Sequence, residues 1–166
     1  MIPAPLLHRI ANELPLRIID HEGRPYLRRY YVGTAFGIRC YLHHFVDSDP
    51  AGLHSHPWRF GVSILLYGRY VEETRFGFAE QKWINFVNGD KFHRVVVSGR
   101  RPWSLFLHSR KVATWGTLKD KGIFTQYVEE RPENYQLDGH SQWHLTARKG
   151  KDILREIENR NNASHN

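Results

Sequence analysis

Two histidines one residue apart, His54 and His56 in LHSHPWRF, stand directly before the most apolar run of the chain, GVSILLYG. Side chains alternate along a strand, so the two imidazoles must share a face. Turned inward, their nitrogens converge on a point that a borderline divalent ion such as Fe(II), Zn(II), Ni(II) or Mn(II) would accept. A firm site needs a third ligand. His93 is the candidate, because it follows the turn NGDKF and opens a second apolar run, HRVVVS. The intervening RYVEETRFGFAEQKWINFV reads as a hairpin, which two metal-bearing strands of one antiparallel barrel require. Together the three positions point to a site for one metal ion.

Several neighbours could serve such a site. His108, inside the apolar strand WSLFLHS, could act as a base behind the ligands or as a fourth ligand. His43 and His44 are adjacent in FGIRCYLHHFV, so only one can face inward: His44 if Cys40 and Leu42 line the interior, His43 if Tyr41 does. Glu72 shares its parity with Gly68 and Tyr70, so if either Glu72 or Glu73 brings a carboxylate into the barrel it is Glu72, the leading alternative being a charged hairpin face. Trp58 and Arg59 directly follow the histidine pair, and Arg94 follows His93; these are the candidate substrate contacts, Arg94 for an anionic group. The plainer alternatives are a core or surface histidine, a charged hairpin face and a packing aromatic. HSQWH, with His140 and His144 at helical spacing, lacks a third partner and is read as fortuitous.

The elements that would position these residues are short strands. PYLRRYYV, FGIRCYLHHFV, FGVSILLYG, RYVEETRF, QKWINFV, FHRVVVS, WSLFLHS and GIFTQYV are rich in β-branched and aromatic residues. Turn signals such as DSDPAG, FGFAE, VNGDK and SGRRP separate them, a pattern of sandwiches and barrels. A helix is expected at about Pro5 to Glu13, and Ile153, Leu154 and Ile157 recur at helical spacing near the C-terminus. The chain therefore divides into a helix and lead-in over 1–25, a barrel over 26–130 and a helical extension over 131–166. With 166 residues, 40% hydrophobic, it is long and apolar enough to bury one core. A single cysteine, Cys40, excludes an internal disulfide and a cysteine-based zinc cluster, and fits a reducing cytoplasm. The charged N-terminus is read as neither a signal peptide nor a membrane span.

These motifs resemble those of the cupin superfamily of small double-stranded β-helix, jelly-roll-like barrels. The first cupin motif is HxH, four residues, Glu, six residues, Gly; here His54, His56 and Gly68 match, and Gly61 stands at the glutamate position. The second places a histidine after a glycine-containing turn, as His93 follows NGDKF, with Val97 where an Asn is common. More narrowly, YLRRYYV, YLHHFVDSD, LHSHPW, SILLYGRYVEE, FHRV, WSLFL and WG are similar to a group of small bacterial and phage cupin-like proteins. The resemblance implies a mostly β, cupin-type barrel with short terminal helices. Gly61 in place of glutamate leaves a neutral three-histidine face, which on a divalent ion keeps positions open for water, O₂ or a chelating substrate. Some thiol dioxygenases of this superfamily use such a face with a glycine at this position. Their Ser-x-His-x-Tyr relay is not matched, since SLFLHS offers Ser104 and His108 without a tyrosine in step.

Fold alone does not set the reaction. The leading expectation is a mononuclear divalent-metal enzyme acting on a small, anionic molecule, with Fe(II) favoured, Zn, Ni or Mn possible, and an oxygenase or isomerase reaction. A non-catalytic metal- or ligand-binding cupin is the alternative. The balance of 24 Lys+Arg against 17 Asp+Glu gives net +7, which makes nucleic acid a third candidate partner, although no binding motif supports it. Barrel edges leave room for a homodimer.

Overall fold

The computed structural model describes residues 1–50, 52–81, 83–113, 116–120, 127–130 and 142–163. A six-stranded antiparallel sheet forms one wall. Its order is β1 (Leu16–His21), β2 (Arg24–Ala35), β3 (Ile38–Phe45), β9 (Trp103–His108), β4 (Phe60–Tyr67) and β7 (Ile84–Asn88). The opposite wall is a three-stranded sheet in the order β6 (Gly77–Glu80), β5 (Tyr70–Thr74), β8 (His93–Val97). A short ladder pairs β10 (Thr117–Asp120) with β11 (Tyr127–Glu130). The chain passes from one wall to the other at Gly68, between β4 and β5. That residue has φ +74°, and a Cβ there would meet the Arg100 carbonyl at 2.7 Å, so the crossing requires glycine.

Two apolar layers result. The first lies between the sheets, with Leu27, Tyr41, Phe45, Trp58, Tyr70 and Val87 buried. The second lies on the outer face of the six-stranded sheet, beneath α1 (Ala4–Asn12) and α2 (Gly150–Ala163). Leu7 and Ala11 of α1 and Leu16 of β1 meet Tyr30, Leu42 and Trp103 there, and Ile153 and Leu154 of α2 pack against them. Burying each large side chain of this cluster stabilises the fold by about 1.5–3 kcal/mol. Lys149 and Lys151 reach Glu13 across the two helices at 3.0 and 2.9 Å. Among the described residues no helix is long and apolar enough to cross a membrane.

Seven of the eight expected strands are present, and both helices lie where their periodicity put them. The eighth, GIFTQYV, lies mostly outside the described residues, with β11 beginning at Tyr127. Three corrections apply. The expected lead-in contains β1, which completes the large sheet by pairing with β2. FGFAE, expected as a turn, contributes the strand β6. The histidine segment is extended but makes only isolated bridges, His54 to His93 and Thr117, and Trp58 to Lys111.

Candidate metal-binding site

Three stretches of backbone hold the two histidines in place of a regular strand ladder. His54 and His93 exchange backbone hydrogen bonds in both directions, at 3.1 and 3.0 Å. Ser55 N–H donates to the Gly116 carbonyl and His56 N–H to the Gly89 carbonyl, both at 2.8 Å. Alternation survives this irregular pairing. Ser55 turns away and accepts from Gly116 N–H at 2.8 Å, while His54, His56 and Trp58 line the cavity between the sheets. His93, the first residue of β8, faces the same cavity.

The three rings form a triangle. Their centroids are 5.0 Å apart for His54 and His56, 4.9 Å for His56 and His93, and 6.0 Å for His54 and His93. The His56 and His93 Nε2 atoms lie 2.7 Å apart. Among the described residues no three or more His, Cys, Asp or Glu side chains are gathered as a ready-made metal cage. The close contact is pairwise, with the third ring beside it.

The donor chemistry fits a metal nonetheless. His93 Nδ1 is bonded to the Glu72 carboxylate, and His54 Nδ1 to the Gly52 carbonyl at 3.2 Å, with Asp49 3.7 Å away. Carbonyl and carboxylate oxygens only accept, so Nδ1 carries a proton on both rings, and in a neutral imidazole Nε2 is then the atom left to ligate. With metal–nitrogen distances of about 2.1 Å, two imidazole nitrogens on one ion stand roughly 3 Å apart. The His56–His93 spacing of 2.7 Å is close to that. Burial pushes the His56 pKa well below the usual range, helped by His93 and His54. Burial also lowers His54, aided by His93 and opposed by Asp49. Both rings are therefore held neutral, the form that ligates metal.

Glu72 enters the interior as its parity predicts and is 4% exposed. Burial alone would raise its carboxyl, but hydrogen bonds from His93 and Lys91 overcome this and hold it below the usual carboxylate range. Lys91 Nζ donates to Oε2 at 2.5 Å and Gln81 Nε2 to the same oxygen at 2.8 Å. Glu72 thus supports His93 from behind. The glutamate position of the cupin motif is filled by rings: a Cβ on Gly61 would stand 2.9 Å from the Phe106 ring and 3.2 Å from that of Trp58. A longer side chain cannot enter without displacing them.

The remaining candidates separate by face. Trp58 is buried and stacks flat on His56, with centroids 4.3 Å apart. His108 donates from Nδ1 to the Ser109 carbonyl at 2.6 Å and stacks with Tyr41 and Trp58 along the cavity wall. His43 faces inward with Tyr41, and Arg29 Nε donates to its Nε2 at 3.1 Å. His44 is not brought to the site. It lies on the opposite face, stacked on Trp103 at 4.1 Å, because the helices cover that side too and both parities of β3 are buried. Arg94 borders the cavity, but its Nε is paired with Glu73 at 2.5 Å. Arg59 is exposed and borders a surface hollow with Phe60 and Phe86, away from the histidines. His140 lies outside the described residues, and His144 stacks on Tyr31 at 3.8 Å.

Sequence reasoning missed Arg29, Tyr26 and Asp49, all of which line the inner cavity of about 110 Å³. A wider cavity of about 530 Å³ opens beside it, and Tyr26, Arg29, His54, His56 and Trp58 belong to both. The readable signal for Arg29 is its parity with Leu27, which β2 buries.

No protein-family model and no curated protein matches the sequence. Solved structures do match by shape. A cupin-2 domain protein from Rhodospirillum rubrum aligns with a TM-score of 0.52 at 11% identity, over 64% of this chain and 76% of that one. KdgF from Halomonas sp. aligns with a TM-score of 0.45 at 13% identity, over 55% and 92% of the two chains. A sugar phosphate isomerase of the cupin superfamily from Silicibacter pomeroyi aligns with a TM-score of 0.47 at 13% identity, over 67% and 80%. The match to the Rhodospirillum protein accords with two facing antiparallel sheets enclosing the histidine-lined cavity, and the chain shares the fold of that cupin-2 domain.

Proposed function

We propose that the chain is a metal-binding cupin in which His54, His56 and His93 hold one divalent ion, Fe(II) before Zn, Ni or Mn. On this reading it acts as an enzyme on a small molecule bound beside the ion. One observation carries the proposal: acceptors occupy Nδ1 of His54 and His93, which leaves Nε2 as the ligating atom on both rings. An ion on three neutral imidazoles supplies Lewis acidity and, as iron, access to O₂. The surrounding side chains would then divide the remaining tasks. Glu72 fixes the tautomer and orientation of His93, and Trp58 covers one face of His56 against water. The wider cavity leaves room for a reactant beside the pair.

The test is anaerobic purification followed by elemental analysis of wild type and His56→Ala. Wild type should carry a stoichiometric divalent metal, and the variant should lose it while its far-UV circular dichroism stays that of a β protein. Full metal content in the variant would overturn the ligand assignment. Oxygen consumption by the iron-loaded protein with candidate substrates then separates an oxygenase from a carrier.

A further inference from the structure

Arg29 is a cation placed among groups that do not neutralise it. It projects from β2 into the space shared by the two cavities, both of which are also lined by His54 and His56. Its Nε is spent on His43 Nε2 at 3.1 Å, and its guanidinium carbon stands 5.3 Å from the Tyr41 ring centre. Among the described residues no carboxylate pairs with it, and the groups acting on its charge are the phenols of Tyr41 and Tyr26 and the cation of Arg17. A guanidinium stays protonated in proteins, so removing it from water without a counter-charge is costly. An anion entering the cavity relieves that cost.

The geometry limits which anion fits. With Nε committed to His43, the two terminal nitrogens present one forked edge, which matches the two oxygens of a carboxylate. Tyr26 lines the same space, and burial, followed by Asp49, pushes its phenol up to about 12, so it remains a hydroxyl donor. Beyond the fork the wall is aromatic, formed by Tyr41, His108, Trp58 and Trp143. Arg94, the residue the sequence favours for an anion, already has Glu73.

We propose that the wider cavity is a subsite for a small organic carboxylate, gripped by Arg29 and Tyr26, with its apolar remainder along the aromatic wall towards His54 and His56. This deepens the metal-enzyme reading by naming its substrate class, and it rests on that reading only for what the bound molecule faces. The carboxylate grip itself needs no metal.

The experiment is isothermal titration of the full chain with benzoate and with its neutral isostere benzamide, on chelator-treated and on metal-loaded protein. Benzoate should bind both preparations saturably, one per chain. Benzamide, and benzoate on Arg29→Met, should bind at least about tenfold more weakly, as loss of a charge-assisted pair implies. Arg75→Met, on the turn between β5 and β6, should bind like wild type. Absent benzoate binding, equal affinity for benzamide, or an Arg29→Met variant as good as wild type would each overturn the subsite. Should Arg29→Met fail to fold, the comparison of benzoate with benzamide on chelated wild type still decides the matter. Metal content measured on the same samples keeps the two readings apart. Arg29-dependent benzoate binding without a histidine-bound metal sinks the metal site alone; metal without benzoate binding sinks the carboxylate subsite alone.

Discussion

The carboxylate of Glu72 accepts from three side chains, His93, Lys91 and Gln81, and the bond to His93 bears on function because it sets which ring nitrogen can ligate. Removing such a support typically costs a metal site 10- to 100-fold in affinity. Glu72→Gln keeps the size and one acceptor but loses the charge, so it should weaken Zn(II) binding by roughly tenfold or more in a competition titration. Affinity equal to wild type would show that His93 needs no such support. Residues of this kind were legible in part. His54, His56 and Glu72 follow from parity on short extended segments, where the period of two leaves little choice. Arg29 was hidden by its neighbour: in YLRRYYV one arginine of the pair had to face inward, and its charge made both read as surface. Asp49 sits on an irregular connection, where no periodicity says which way a side chain turns.

At the scale of elements, Gly89 decides where the histidine segment lies. A Cβ on it would stand 1.8 Å from the Trp58 carbonyl oxygen, a backbone atom that cannot swing aside. The same residue accepts from His56 N–H at 2.8 Å and donates to the Arg59 carbonyl at 3.2 Å. Gly89→Ala must therefore push the segment outward and carry His56 away from His93. It should destabilise the fold by about 1–3 kcal/mol, as overpacking does, and lower metal content in parallel. Urea unfolding and elemental analysis on one sample check both, and unchanged values in the two would refute the close approach. The turn NGDK was readable as a turn, but not as a backbone contact, because the partner lies about thirty residues earlier in sequence. β1 escaped for a related reason. LRIIDH is short and ambiguous alone, and becomes a strand because β2 offers a free edge and α1 with α2 covers its apolar side.

Across the whole molecule, covering both faces of the large sheet has an electrostatic cost that falls on its histidines. His43 lies buried on the inner face, and its pKa is pushed well down by burial, then by Arg29 and His108. His44 lies buried on the outer face, lowered to about 3 by burial and by Arg28, His8 and Arg101. Its Nδ1 has no hydrogen-bond partner among the described residues, and its ring lies flat on Trp103 with His8 edge-on. In the unfolded chain these rings regain a value near 6.5, so below that pH the unfolded state binds protons that the native state refuses. Their share of stability is complete above about pH 6.5 and is lost as pH falls below it, for His44 down to about 3. For His44 the loss is on the order of a few kcal/mol over that window. His44→Phe keeps a flat ring on Trp103 and removes the proton site. Its urea midpoint should therefore fall less than that of wild type between pH 7 and pH 4.5. Since His44 faces away from the cavity, metal content at pH 7 should be unchanged. A variant that loses stability with acid as steeply as wild type would place the acid sensitivity elsewhere, with His43 and the inner face next to test.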